Sequence, residues 1–133
     1  MHPGKVFEYE RRVAVADTDM VGIAHFTAYL RWVEEAENAF YRASGVPFLG
    51  CEPDGAILGW PRVSLNVEYL GPVHFDDLVI IRLSIARDGR SSREWSFEIH
   101  RPADDKAIAR GTMKTVHAAI SREGKISSRP IAR

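Results

Sequence analysis

Two carboxylates and a glycine lie close together near the beginning of this sequence. Asp17 and Asp19 are followed by Gly22, and an amphipathic segment begins a few residues later. The first turn of a helix carries unpaired backbone N–H groups and a partial positive charge, so it can stabilise a carbonyl oxygen that is gaining negative charge. Gly22 has no side chain to keep a ligand away from the backbone. A carboxylate beside a bound carbonyl can attack it or activate a water molecule.

The same residues also fit a purely structural role. Aspartate and threonine often occupy turns and helix caps, and glycine is frequent in loops. Asp17, Thr18 and Gly22 are therefore equally consistent with an ordinary turn in front of a helix. Spacing alone leaves both interpretations open.

Cysteine and histidine offer little other chemistry. Cys51 is the only cysteine, so it cannot form a disulfide within the chain, which favours a reducing compartment such as the cytoplasm. It lies in a loop-like context without an evident histidine partner, and we do not expect it to be a nucleophile. The five histidines, at positions 2, 25, 74, 100 and 117, lack the spacing of metal ligands, so the sequence predicts no metal site.

Length and composition predict one globular domain over residues 1–133. Hydrophobic residues make up 45% and charged residues 27% of the sequence, and no stretch approaches the roughly 20 apolar residues of a membrane span. The N-terminal residues lack the apolar run of a secretory signal. Basic and acidic residues both number 18, so the basic surplus that is typical of nucleic-acid-binding proteins is missing.

One long helix is predicted over residues 27–44. Apolar residues recur there at steps of three and four, and Gly45 followed by Pro47 ends the segment. Alternating apolar and polar residues predict strands at 6–15, 57–70, 78–86, 92–100 and 107–120. Residues 46–56 are predicted to form a loop, and Asp88-Gly89 is predicted to turn between the two strands of a hairpin.

This order of elements predicts an α+β architecture in which the helix covers one face of an antiparallel sheet. The fourth predicted element carries apolar residues on both faces, as Ile80, Ile81 and Leu83 illustrate. Such a strand either contacts a partner in an oligomer or lies in the core of a monomer, and the pattern does not distinguish the two.

The segment from residue 13 to residue 41 resembles the active-site signature of the 4-hydroxybenzoyl-CoA thioesterase family of hot-dog proteins. That signature is roughly Asp-x-Asp-x-x-Gly-(Ile/Val), followed by a tyrosine and a helix with aromatic and acidic residues. A weaker resemblance extends through residues 60–69 and 75–78. It implies the hot-dog fold, a curved antiparallel sheet around a long central helix. The matching residues are Asp17, Asp19, Gly22, Ile23, Tyr29, Leu30, Trp32, Glu34 and Ala36.

The resemblance also implies roles within the loop. Asp19 corresponds to the catalytic carboxylate, and Gly22 and Ile23 correspond to the loop whose backbone amides polarise the thioester carbonyl. Asp17 corresponds to the first acid of the pair, which we interpret as structural. His25 departs from the thioesterases of the Tol–Pal-associated subgroup, whose histidine stands one position later, so it is expected to act in catalysis or to cap the helix.

Further residues are candidates for substrate contacts. Phe26 corresponds to a position near the acyl group, and Glu34 to an acid that meets the distal end of that group in relatives, although most helical glutamates are simply solvated. Tyr29 is a substrate-binding candidate that also fits the helix core. Phosphates of CoA are expected to bind cations, and the hairpin segment that resembles the Arg-Lys-Ser segment of the family comprises Arg90, Ser91, Ser92 and Arg93.

The function that the resemblance implies is hydrolysis of a small or medium acyl-CoA thioester to a free acid and CoA. Asp19 is expected to be the nucleophile or the general base. CoA is part of the substrate, and neither a metal nor a redox cofactor is implied. The family places its active sites between subunits, so a homodimer or homotetramer is expected. Two alternatives stay open: a hot-dog hydratase or dehydratase acting on enoyl or 3-hydroxyacyl thioesters, and a non-catalytic acyl-binding protein.

Overall fold

The computed structural model describes residues 5–132, so the ends of the predicted domain, residues 1–4 and 133, lie outside the described residues. A short 3-10 turn, Val15–Asp17, precedes the long helix α1, Phe26–Ser44. The strands are β1 Val6–Arg12, β2 Gly50–Cys51, β3 Ile57–Gly59, β4 Arg62–Tyr69, β5 Leu78–Asp88, β6 Ser92–Arg101, β7 Lys106–Val116, β8 Ala118–Ile120 and β9 Ile126–Ser128.

Helix α1 forms where the apolar spacing predicts it, one residue earlier than expected. His25 caps its N-terminus by accepting a hydrogen bond from the Thr27 N–H, and Gly45 ends it in the left-handed conformation, with φ 76°. Its buried face is formed by aromatic and small apolar residues and by one acid, Glu37. The helix therefore packs against the sheet by an apolar stripe that carries a buried carboxyl group.

Five strands form an antiparallel sheet in the order β1-β5-β6-β7-β4, which packs against α1. Strands β5 and β6 make a hairpin at Asp88-Gly89, as predicted. Alternate residues of these strands point at the helix and are fully buried, among them Ile81, Leu83 and Trp95. The predicted α+β arrangement is confirmed.

Two of the predicted strands are each interrupted and form two shorter strands. The segment 57–70 breaks at Trp60-Pro61, since proline has no N–H for a sheet ladder, and the segment 107–120 breaks at His117. The shorter piece of each, β3 and β8, joins a second antiparallel sheet in the order β2-β3-β8-β9. The predicted loop and the C-terminal segment supply β2 and β9, which pair locally with β3 and β8, and the long-range pairing of β3 with β8 joins the two hairpins.

The first strand ends at Arg12 rather than at residue 15. The Asp17 carboxylate accepts a hydrogen bond from the Ala14 N–H at 2.8 Å and turns the chain into the 3-10 turn. Val13 still exchanges backbone hydrogen bonds with the 76–77 segment, so the turn is attached to the end of the sheet. This attachment fixes the start of the acidic loop, residues 17–25, which contains Asp17 and Asp19.

The outer face of the large sheet is polar. A row of alternating charges crosses all five strands through Glu8, Arg82, Glu98, Arg110 and Glu68. Ile80 is only partly buried on this face, so the apolar character of β5 is concentrated on the side that faces the helix. Strand β4 lies at an edge of the sheet, and its Val63 and Leu65 side chains are 56% and 43% exposed, although Leu65 shares a row with the buried Met113 on the side that faces the helix.

Candidate active site

The acidic loop closes on itself around Asp19. The Asp19 N–H donates to the Ile23 carbonyl at 2.8 Å, and the Gly22 N–H donates to the Asp19 carbonyl at 3.1 Å. Gly22 has φ +84°, a conformation that favours glycine. The Asp19 carboxylate accepts the Val21 N–H at Oδ1, 2.9 Å away, and its Oδ2 has no hydrogen-bond partner among residues 5–132. One oxygen thus orients the carboxylate and the other is available.

The backbone amides that follow Asp19 divide into occupied and available groups. The Gly22 N–H is held by the turn, while Ala24 and His25 donate to the carbonyls of Val73 and Asp17, each at 2.8 Å. No acceptor in the described part of the chain takes the N–H of Ile23 or Phe26. Of the two amides predicted to polarise a carbonyl, the structure leaves that of Ile23 available, and it adds Phe26, the first residue of the helix.

Asp17 is buried and fully engaged. Its carboxylate accepts hydrogen bonds from Arg11 at 3.0 Å, from Arg31 at 3.2 Å and from the Ala14 N–H. Burial by itself would raise the pKa of the Asp17 carboxyl, but the Ala14 N–H and the two guanidinium groups outweigh it and hold the pKa below its usual range. Asp17 therefore holds the base of the loop as an ionised carboxylate.

A cleft of about 560 Å³ opens beside the start of the helix. Tyr69 donates a hydrogen bond to the Phe26 carbonyl at 2.8 Å, and Tyr29 donates to the Gly71 carbonyl at 3.3 Å. Tyr29 is 4% exposed and supports the wall, whereas Phe26 is 61% exposed at the mouth. The predicted residues Asp19, Ile23, His25, Phe26 and Tyr29 line this cleft, together with Ala24 and residues 69–72.

Glu34 lies further along the helix and does not line the cleft. It is exposed, and its carboxylate is 3.8 Å from the Arg62 guanidinium. Arg62 also donates to the fully buried Glu37 at 2.7 Å, and Glu37 Oε2 has no partner among the described residues. Burial raises the pKa of Glu37 to about 7, against the attraction of Arg62. Glu37 is not among the predicted site residues, although its spacing of four residues from Val33 and Tyr41 places it on the apolar face.

The predicted CoA-binding residues lie at the opposite end of the helix. Arg93 is 9% exposed, is paired with Asp88 at 2.9 Å, and lies against the rings of Tyr41, Trp60 and Trp95. It is therefore an internal residue, while Arg90 is exposed in the turn.

Residues 90 and 91 are anchored through their backbone. The carbonyls of Arg90 and Ser91 accept the N–H groups of Ile131 and His117 at 2.8 and 2.7 Å, and Ser92 begins β6. Arg93 donates a hydrogen bond to Tyr41, which is about 22 Å along the helix from Phe26. Within one copy of the chain, the turn that contains Arg90, here called the cationic turn, therefore lies far from the cleft.

Residues 5–132 contain no cluster of three or more histidine, cysteine, aspartate or glutamate side chains placed to hold a metal ion. None of their helices is both long and apolar enough to cross a membrane.

Comparisons with known proteins identify the family and the fold of the chain. A family model described as the thioesterase superfamily matches residues 21–108. A putative esterase from Aquifex aeolicus is 32% identical, over 93% of this chain and 91% of that protein. A 1,4-dihydroxy-2-naphthoyl-CoA hydrolase from Synechococcus sp. (strain WH7803) is 32% identical, over 85% and 75% of the two chains. The crystal structure of a 1,4-dihydroxy-2-naphthoyl-CoA thioesterase from Synechocystis superposes with a TM-score of 0.79 at 22% identity, covering 95% and 90%.

Proposed function

Because the chain belongs to the thioesterase superfamily and is a thioester hydrolase of the hot-dog fold, we propose that it hydrolyses an acyl-CoA to a free acid and CoA. The observation that carries this proposal is the Asp19 carboxylate, which has one available oxygen in a cleft beside the start of a helix. The activity resides in one domain of residues 1–133. The single cysteine, Cys51, supports a reducing compartment such as the cytoplasm.

Asp19 has two chemically balanced routes. As a nucleophile, its free oxygen attacks the thioester carbonyl carbon, CoA leaves as a thiolate, and water then hydrolyses the anhydride. As a general base, it takes a proton from the water molecule that attacks the carbonyl, and CoA again leaves as the thiolate. Both routes end in the carboxylic acid and the CoA thiol. In both, the available N–H groups of Ile23 and Phe26 stabilise the oxyanion.

The walls of the cleft suit a small or medium acyl group. Phe26 and the Tyr69–Pro72 segment provide aromatic and apolar surface, and the volume of about 560 Å³ lies within the range of small-molecule pockets. The named activity of the Synechococcus relative, which acts on a dihydroxynaphthoyl-CoA, supports an aromatic acyl group among the candidates.

The CoA-binding residues come from a second copy of the chain in this proposal. Edge strand β4 has no neighbour on its outer side among the described strands, and it exposes Val63 and Leu65. If two copies pair β4 with β4 in antiparallel fashion, the Arg62 end of one strand lies beside the Tyr69 end of the other. Arg62, Thr115 and Arg93 share one row of the sheet, so the Arg90 turn then lies near the cleft of the other copy.

The proposed activity is tested by incubating the protein with a panel of aliphatic and aromatic acyl-CoAs and measuring the release of free thiol. We expect at least one small or medium acyl-CoA to be hydrolysed with turnover. Addition of water to an enoyl-CoA without thiol release would instead support a hydratase. Saturable binding of acyl-CoAs without any product would support an acyl-binding protein.

A further inference from the structure

The imidazole of His25 lines the cleft together with Asp19. His25 is exposed, and its ring stacks on that of Phe26, with the ring centroids 4.5 Å apart and the planes inclined by 29°. The ring is held in one plane at the mouth of the cleft. The hydrogen bonds of the ring decide which of its two nitrogens is available to a ligand.

Nδ1 is the committed nitrogen. It accepts the Thr27 N–H at 3.2 Å and lies 2.7 Å from the Thr27 hydroxyl. A backbone N–H can only donate, so Nδ1 is the acceptor, and the proton of the neutral ring is on Nε2. Nε2 has no partner among the described residues.

A chain of hydrogen bonds maintains this arrangement from behind. Arg31 donates to the Thr27 hydroxyl oxygen at 3.4 Å through Nη1 and to the Asp17 carboxylate at 3.2 Å through Nη2. Because a guanidinium has no acceptor, the Thr27 oxygen accepts from Arg31 and directs its own proton to His25 Nδ1. The Asp17 carbonyl also accepts the His25 N–H at 2.8 Å. The first acid of the loop thus holds His25 through both its side chain and its backbone.

We propose that His25 is a catalytic hydrogen-bond donor whose Nε2–H stabilises the negative charge on the thioester carbonyl oxygen when the carbonyl carbon is attacked in the Asp19 cleft. Thr27, Arg31 and Asp17 are positioning residues that keep the proton on Nε2. The proton stays on the ring throughout, so the hydrolysis balances without it. This proposal rests on the proposed function, and it adds a side-chain donor to the backbone amides.

The first test is His25→Asn. Asparagine is a good helix cap and can still accept the Thr27 N–H, but it lacks the Nε2–H of the imidazole that lines the cleft. We expect kcat to fall about 100-fold with little change in KM, as for the loss of one oxyanion donor, while the melting temperature stays close to that of the wild type. Wild-type kcat in this variant would overturn the proposal. Hydrolysis by the wild type, measured beside it, shows separately whether the proposed function holds.

The leaving group distinguishes the oxyanion from the sulfur as the acceptor. Stabilisation of the oxyanion predicts the same fold-loss in His25→Asn for an alkyl thioester and for the thioester of a more acidic aryl thiol. If His25 instead protonated the departing sulfur, the loss would shrink with the aryl thiol, which leaves without such help. A loss that disappears with the aryl thioester would therefore overturn the proposal.

The positioning residues are tested by the position of the ring proton. Nitrogen NMR shifts of the wild-type imidazole are expected to show Nε2 protonated and Nδ1 bare. Thr27→Val removes the hydroxyl at nearly constant shape but keeps the backbone N–H that donates to Nδ1, so we expect the Nδ1 shift to move while Nε2 stays protonated, and kcat to fall less than in His25→Asn. A wild-type ring that carries its proton on Nδ1 would overturn the proposal.

Discussion

The two aspartates of the loop differ in what surrounds them. Both oxygens of Asp17 are engaged by Arg11, Arg31 and a backbone amide in the interior of the protein. Asp19 lines a cleft, accepts the Val21 N–H at one oxygen, and has no partner for the other among the described residues. A fully paired carboxylate stabilises a structure, whereas a carboxylate with a free oxygen can react. The geometry therefore supports the division of roles that the family resemblance implies.

Glu37 makes the stability of the folded protein depend on pH. Its pKa is raised by burial to about 7 from its ordinary 4.5, and a group whose pKa is raised on folding stabilises the protein when protonated. That contribution is complete below pH 4.5 and is lost as the pH rises through 7. Between about pH 5 and pH 8 we expect the free energy of unfolding of the wild type to fall by roughly 3 kcal/mol relative to Glu37→Gln.

Urea unfolding of both proteins across this pH range measures the difference. Glutamine keeps the shape of the side chain but cannot ionise, so its curve provides the reference. Loss of the Arg62 contact displaces the curve of Glu37→Gln from that of the wild type by a constant amount. Only the titration of Glu37 makes the separation between the two curves change with pH. Parallel curves would contradict the assignment of a raised pKa.

Among the elements, the acidic loop depends on its glycine. Gly22 and Gly124 have nearly equal φ values, +84° and +83°, and an added Cβ would touch nothing within 4 Å at either position. Alanine at each position is expected to lower stability by about 1 kcal/mol because of the left-handed backbone. Only Gly22→Ala should also lower kcat, since it alone strains the turn that orients Asp19. Equal kcat values for the two variants would show that the turn does not position the carboxylate.

The elements also show how far the sequence predicts the fold. The helix and the β5–β6 hairpin follow from local spacing, because residues three and four apart, or two apart, share a face. The break at Pro61 follows from local chemistry, yet the alternation of residues 57–70 masks it. The second sheet consists of two short hairpins, β2–β3 and β8–β9, and no local pattern specifies the pairing of β3 with β8, which lie far apart in the chain.

Within the site, the sequence predicts the loop better than its surroundings. Asp19, Ile23, His25 and Phe26 are close in the sequence, so their arrival at one cleft follows from the helix start. The burial of Arg93 depends on Asp88 and on rings from α1 and the 60–61 segment, which only the folded chain brings together. Glu37 escaped notice because a charged residue on an apolar stripe is usually solvated.

The distance between the cleft and the cationic turn predicts an active site made by two chains. Asp19→Asn and Arg90→Glu each damage a different half of such a site. Mixed dimers formed from the two variants contain one complete site each. After subunit exchange of an equal mixture, we expect kcat/KM for the acyl-CoA to recover to about a quarter of the wild-type value, because half of the dimers are mixed.

The pure variants provide the reference for this experiment. If each site lay within one chain, the mixture would give the average of the two pure variants and no recovery. A Leu65→Lys variant, which puts a charge on the exposed β4 edge, is expected to yield monomers in sedimentation and to lose activity with them. An active monomer would contradict the two-chain site.

In the proposed reaction, Asp19 carries out the thioester hydrolysis. The most direct measurement is the turnover number of Asp19→Asn, beside Asp54→Asn as a matched change in a loop that does not line the cleft. We expect Asp19→Asn to lose at least about 1,000-fold in kcat with an unchanged melting temperature, because it removes the reactive carboxylate and keeps its size. Asp54→Asn should retain the wild-type rate. Hydrolysis by Asp19→Asn at a rate near that of the wild type would contradict the account.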